Sequence, residues 1–114
     1  MKTSSAKNKG RRFQQEIAKA ILDMFPDLEP DDVLSKSMGA GGEDIMLSPK
    51  ARKLLPISIE AKNVEKLSVW AAYKQAQANA KTYIPVLFMR RNRTDPLVVL
   101  DMNSFLWLLS QVKT

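Results

Sequence analysis

The chain is predicted to be an α/β (α+β) domain, a central mixed five-stranded sheet flanked by helices, and three observations carry that prediction. Apolar residues recur at helical spacing from Arg11 to Phe25, at alternating spacing from Ile57 to Lys62, and in short apolar runs with β-branched or aromatic members at Pro85–Met89 and Leu97–Leu100. Turn residues punctuate these segments in the order helix, three strands, helix, two strands, helix.

Met1 to Arg12 carries Lys2, Lys7, Lys9, Arg11 and Arg12 without an acidic residue. It predicts a flexible basic arm over residues 1–10, either a solubilising tail or a segment that touches phosphates. Residues 11–114 form the single domain expected of a chain this long. In the first helix Phe13, Ile17, Ala20, Ile21 and Met24 make the buried stripe, and Pro26 ends it. Glu16 borders that stripe, so it reads alone as a surface residue but can reach the sheet edge. Asp27 to Asp32, with Pro30, predicts a solvated connector.

Val33 to Met38 predicts a weak strand. Gly39-Ala40-Gly41-Gly42 follows, as an ordinary loop or as a close backbone approach to a phosphate. Asp44 to Leu47 is a short strand, Ser48-Pro49-Lys50 a turn whose basic tip continues through Arg52 and Lys53, and Leu54 to Asn63 the central strand. The three strands are expected to pair antiparallel. Ser68 caps a helix from Val69 to about Lys81, with Trp70, Tyr73, Ala76 and Ala80 along one side and Gln75 and Gln77 able to reach a site. Pro85–Met89 and Leu97–Leu100 read as buried core strands, with Arg90, Arg91 and Arg93 between them. Asp101 or Asn103 caps the last helix, whose Met102, Phe105, Leu106 and Leu109 form an apolar face that Trp107, Leu108 and Val112 extend. That is more apolar surface than one small core needs. It predicts a well-buried terminal helix or, favoured for a domain with so little room, a homodimer contact.

Eighteen Lys and Arg against twelve Asp and Glu give a net charge of +6, which favours a polyanionic partner, nucleic acid first. The absence of Cys and His excludes disulfides, thiol or imidazole catalysis and the usual zinc sites, so any metal must be held by oxygen. No apolar run approaches the roughly twenty residues that span a bilayer, and the N-terminus lacks a signal-peptide core. A soluble, intracellular chain is expected.

Chemistry concentrates in Leu54–Asn63. Ile57, Ile59 and Ala61 alternate with Ser58, Glu60 and Lys62, so Glu60 and Lys62 point the same way. Alone, the pair could be a solvated face with an ion pair worth at most about 1 kcal/mol. Upstream, however, Gly41-Gly42-Glu43-Asp44-Ile45 runs into a neighbouring strand, and pairing the two would set Asp44 beside Glu60. Two carboxylates that repel each other, with a lysine beside them, make a hard-oxygen site for Mg²⁺ or Mn²⁺.

Gly42-Glu43-Asp44-Ile45 and Ile59-Glu60-Ala61-Lys62 resemble the Asp and E-x-K motifs of the PD-(D/E)xK nuclease superfamily, over about Lys9 to Val99. Within it the chain is most similar to the archaeal and phage Holliday junction resolvases, through Lys9-Gly10, the helix-borne Glu16 and Gln75-Ala76. The resemblance implies a restriction-endonuclease-like αβββαβ core. It further implies a metal-dependent, homodimeric endodeoxyribonuclease that hydrolyses phosphodiester bonds of four-way or branched DNA in recombination, acting in the cytoplasm, or the host's cytoplasm if phage-encoded. By the same resemblance Glu16, Asp44, Glu60, Lys62 and Gln75 are catalytic, with Gln77 in place of Gln75 if the helix register is shifted. Asp44, Glu60, Glu16 and the Ala61 carbonyl would hold the metal, Lys62 would orient water or offset developing charge, and Gln75 would position either. Glu43 replaces the Pro that precedes the family's Asp, and the Gly-rich loop is short; neither change removes a ligand, though the loop could alter which DNA shapes fit. Lys9, Arg11, Arg12, Lys50, Arg52, Lys53, Arg90, Arg91 and Arg93 would supply phosphate contacts, which position DNA without reading its sequence.

Two other readings compete. One is a non-catalytic DNA-binding module on a nuclease-like fold. The weaker one is a small RNA-binding domain, disfavoured because the few aromatics lie mostly at core spacing.

Overall fold

The computed structural model describes residues 2–36 and 41–112. Helix α1 (Lys2–Met24) leads through a 3₁₀ turn (Pro30–Asp32) into β1 (Val33–Ser35), β2 (Ile45–Leu47), the short helix α2 (Pro49–Leu54) and β3 (Ile57–Asn63). Helix α3 (Val69–Asn79), β4 (Ile84–Arg90), β5 (Leu97–Val99) and α4 (Met102–Ser110) follow. The strands form one five-stranded sheet in the order β1-β2-β3-β4-β5. β1, β2 and β3 pair antiparallel as expected, β3 and β4 run parallel, and β5 returns antiparallel to β4. The parallel pair needs a crossover, which α3 supplies. The fold is therefore α+β, an open mixed sheet with helices packed on it.

The period-2 pattern of β3 divides the core. Ile59 and Ala61 pack with Phe13, Ile17, Ala18 and Ile21 of α1, whereas Ala72, Tyr73 and Ala76 of α3 pack against Leu87 of β4. One sheet face thus belongs to α1 and the other to α3, and both faces of β3 are covered. Small residues on α3 bring that helix close to the sheet, so even the polar face of β3 is buried at Glu60.

Several expectations are corrected. Residues 2–10, read as a flexible arm, continue α1. No proline interrupts them, Ala6, Lys7, Lys9, Arg11 and Arg12 are good helix formers, and a helix nucleated on the packed Phe13–Ile21 turns gains a hydrogen bond with each residue added. On the buried stripe, Gln14 and Ala18 take the places expected for Ala20 and Met24. The turn expected at Ser48-Pro49-Lys50 opens α2, because Ser48 Oγ accepts from the Ala51 N–H at 3.1 Å and Pro49 occupies the first helical position. The central strand consequently starts at Ile57 and not at Leu54.

Part of the expected strand 33–38 is present as Val33–Ser35; Ser37, Met38, Gly39 and Ala40 lie outside the described residues. Trp70, placed with Tyr73 and Ala76 from spacing, is 87% exposed, and β5 is an edge strand with Leu97 and Val98 open to solvent. Asp101 caps α4 by accepting from the Ser104 N–H at 2.9 Å. The helix is not well buried: Met102, Phe105, Leu106, Trp107 and Leu109 are all exposed. Among the described residues no helix is long and apolar enough to cross a membrane.

Candidate active site

Asp44 stands immediately before β2, and its backbone is held from two sides. Its N–H donates to the Ile59 carbonyl at 2.9 Å, and its carbonyl accepts from the Lys36 N–H at 2.9 Å. Its side chain is fixed as well, since Oδ2 accepts from the Ala61 N–H at 2.7 Å. Ala61 therefore meets Asp44 through its amide, and the residue itself is buried. One residue along β3, on the face toward α3, Glu60 is 3% exposed. Its Oε1 accepts from Asn79 Nδ2 at 3.4 Å, and its Oε2 lies 3.5 Å from Lys62 Nζ.

Burial pushes the Asp44 carboxyl above its ordinary value, offset in part by the Ala61 N–H and by the charges of Lys62 and Lys36. Burial also raises Glu60, the Asp44 charge raises it further, and Asn79 and Lys62 act in the opposite direction. Asp44, Glu60 and Lys62 are thus brought together as the sequence predicted. Each of the two carboxylates makes the other's ionisation more costly.

Two members of the site escaped sequence reasoning. Lys36 follows β1, and the β1–β2 register, Val33 opposite Leu47 and Ser35 opposite Ile45, carries it across from Asp44. Its ammonium donates to the Gly41 carbonyl at 2.9 Å. A hairpin register through a Gly-rich loop would have revealed it, but such a loop does not fix register. Asn79 lies one helical turn beyond Gln75 on the same face of α3, and it is Asn79 that reaches Glu60. Gln75 is exposed and makes no hydrogen bond with Asp44, Glu60 or Lys62 among the described residues. Gln77 is turned to the groove between α3 and the start of α4, beside Trp70 and Met102.

Glu16 is elsewhere. Arg90 grips it with both guanidinium arms, at 2.8 and 3.0 Å, while lying over the Phe13 ring with its carbon 5.0 Å from the centroid. That contact places the pair on the α1 face, across the sheet from Glu60. Among the described residues no three acidic side chains converge at one point, so the site offers two carboxylates and not three.

Of the basic residues, Arg52 is committed internally: it pairs with Glu43, donates to the Ile57 carbonyl at 2.8 Å and stacks over Tyr83 at 4.2 Å. It is not available as the phosphate contact expected from sequence. Lys50 donates to the Asp27 carbonyl at 2.5 Å, and Arg11, Lys53 and Arg91 are exposed. Lys9, Arg12, Arg90 and Arg93 line one cavity of about 430 Å³.

The donor set fits a hard divalent cation. Mg²⁺ commonly uses one or two carboxylates and completes its shell with water and phosphate oxygens, and a cation between Asp44 and Glu60 would relieve their repulsion. The sign of the pH effect follows. With folded values above the unfolded ones, the two acids cost no stability below the ordinary carboxylate range. Stability falls as pH rises through the raised folded values, and the penalty is complete above them. Mg²⁺ should therefore raise the thermal unfolding midpoint at pH 8, by about 2.7 kcal/mol of stability at a hundred times its dissociation constant, and far less near pH 4. An unchanged midpoint at pH 8 in saturating Mg²⁺ would remove the metal from the site.

No family model, curated protein or solved structure matches the chain. The site defines, by its own chemistry, a partly buried two-carboxylate and lysine cluster on a mixed sheet.

Proposed function

We propose that the protein is a Mg²⁺- or Mn²⁺-dependent endodeoxyribonuclease of the PD-(D/E)xK type, selective for branched DNA such as four-way junctions. The observation that carries this reading is the convergence of Asp44, Glu60 and Lys62 at the β2–β3 pairing, with both carboxylates partly desolvated and the charge of a second ammonium, Lys36, acting on Asp44. The succession of α1, three antiparallel strands, α3 and a parallel β4 supports a restriction-endonuclease-like core. The net charge of +6 supports a polyanionic substrate.

Asp44 and Glu60 would hold the cation. When bound, it supplies positive charge against the attacked phosphate and makes a nearby water easier to ionise. The protein's own groups do the rest. The Ala61 amide fixes Asp44, and Asn79 fixes Glu60, so neither carboxylate must reorganise. Lys62, 3.5 Å from Glu60 and partly open to solvent, can hold the attacking water by one N–H and offset charge on the phosphate oxygens by another. Lys36 adds a cation on the Gly41 side.

The test is cleavage of a labelled four-way junction beside a matched linear duplex, in Mg²⁺ and in EDTA. Metal-dependent cutting confined to the junction is the expected result. Equal cutting of both substrates would keep the enzyme and discard junction selectivity, and tight binding with no cutting in either metal would make the chain a DNA-binding module.

The partner in solution is proposed to be a second copy. Met102, Phe105, Leu106, Trp107 and Leu109 of α4 are all exposed, an apolar helix surface that a self-complementary two-fold contact would cover. Sedimentation should give a dimer for the wild type and a monomer for Leu106→Glu/Leu109→Glu. A monomeric wild type sinks the idea.

A further inference from the structure

We infer that the cavity lined by Lys9, Arg12, Arg90 and Arg93 is a built phosphate-binding cleft that seats a backbone phosphate of the DNA, and that Glu16 is its positioning residue and not a metal ligand. The inference rests on the proposed reading of DNA as the partner.

Helix α1 supplies Lys9, Arg12 and Glu16, β3 and β4 supply Asn63 and Arg90, and the loop after β4 supplies Arg93. Asn63 and Arg90 are register partners at the carboxyl ends of the two parallel strands, so the cleft opens where that part of the sheet ends. Its charge is strongly positive even after neighbouring acids are counted. Glu16 is matched by Arg90, and Glu65, which accepts from the Asn92 N–H at 2.6 Å, comes no nearer than 4.0 Å to Lys9 Nζ. Four cations therefore face two carboxylates.

Arg90 is prepared for an anion. A guanidinium carries five N–H donors, and Glu16 takes two of them in a parallel fork while the Phe13 ring supports the plane. The remaining donors are held in a fixed direction, so little side-chain freedom is lost when a phosphate arrives. Asn63 also lines the cleft, and its Oδ1 is buried without a hydrogen-bond partner. A phosphodiester only accepts hydrogen bonds, so Asn63 would meet it through Nδ2, with the amide turned from its present orientation.

The location ties the cleft to the candidate active site. Lys62 and Asn63 are successive residues of β3 and point to opposite faces, Lys62 toward Glu60 and Asn63 toward the cleft. A DNA strand crossing this end of the sheet can touch both. Glu16 thereby acquires a role on the α1 face that its distance from Asp44 and Glu60 across the sheet denies it as a ligand.

The experiment is equilibrium binding of fluorescein-labelled duplex and junction DNA in EDTA, followed by anisotropy over a NaCl series. The proteins are the wild type, Arg12→Ala/Arg93→Ala and the exposed control Lys19→Ala. The double variant should lower the slope of log K against log[salt] by about 1 for each lost contact, while the control keeps the wild-type slope. Glu16→Gln should leave the Mg²⁺-induced rise in unfolding midpoint intact. An unchanged slope in the double variant, or wild-type protein that binds no DNA, overturns the cleft; loss of the Mg²⁺ response in Glu16→Gln returns that residue to the metal. Because binding is read without metal, a wild type that fails to cut DNA counts against the nuclease reading alone.

Discussion

Glu60→Gln should reduce Mg²⁺-dependent cleavage about a thousandfold or more while leaving the protein folded. Removing an outer-shell partner of a metal site typically costs about 10–100-fold, and Glu60 is placed to be a direct ligand. The amide keeps the shape and can still meet Asn79, but it loses the charge that would hold the cation and orient Lys62. Stability should move the other way. The substitution removes a buried charge whose ionisation Asp44 disfavours, so the variant should unfold no earlier than wild type above pH 7 in EDTA. Steady-state cleavage with matched thermal unfolding checks both halves. A variant that cuts within tenfold of wild type would falsify the assignment of Glu60.

The largest effect on stability is expected at Arg52. Its guanidinium joins α2 to the segment before β2 through Glu43, to β3 through the Ile57 carbonyl and to Tyr83 by stacking, with side chains only 15% and 16% exposed for Arg52 and Glu43. Arg52→Ala strands the Glu43 carboxylate in a largely buried site, and breaking a buried pair from one side costs about 3–5 kcal/mol. Residual exposure places this pair near the lower figure. Arg52→Met/Glu43→Gln should recover much of the loss, because no unpaired charge remains. Urea unfolding measures each value. If Arg52→Ala instead lost less than about 1 kcal/mol and weakened DNA binding, Arg52 would be the surface phosphate contact that its sequence position suggested. Glu43 adjoins Asp44, so the same pair holds the loop that delivers the first carboxylate.

Much of this architecture was legible from sequence because it is local. The alternation of Ile57, Ile59 and Ala61 with Glu60 and Lys62 fixes which residues share a face of β3, and the pairing of β2 with β3 sets Asp44 beside Glu60. Helix boundaries at Pro26 and Asp101 follow from proline and capping chemistry, which also acts over a few residues, while Ser68 stands at the N-cap of α3 without a side-chain hydrogen bond. Ser48-Pro49 carried the same helix-start signal. It was overshadowed by the basic run that follows, which resembles a solvated turn.

What spacing could not convey was which face of the sheet each helix covers. Glu16 and Gln75 are both polar residues on helices that pack against β3, and both could be imagined beside Glu60. Only the folded chain sets α1 on one face and α3 on the other. Glu16 then meets Arg90 and not the carboxylates, while Asn79, a turn beyond Gln75, supplies the contact to Glu60. Basic residues were similarly indistinguishable in the sequence. Burial ties Arg52 to Glu43, while four others converge on one cleft.

The sequence by itself determined the order of the main helices and strands, the grouping of Asp44, Glu60 and Lys62 and the positive charge, because periodicity and residue chemistry are properties of neighbours along the chain. Tertiary structure alone decided the helices' faces, the partner of each charge and the apolar surface left uncovered on α4. Those depend on how the crossover between β3 and β4 and the β1–β2 hairpin bring distant residues together, and on which charges the packing then removes from water.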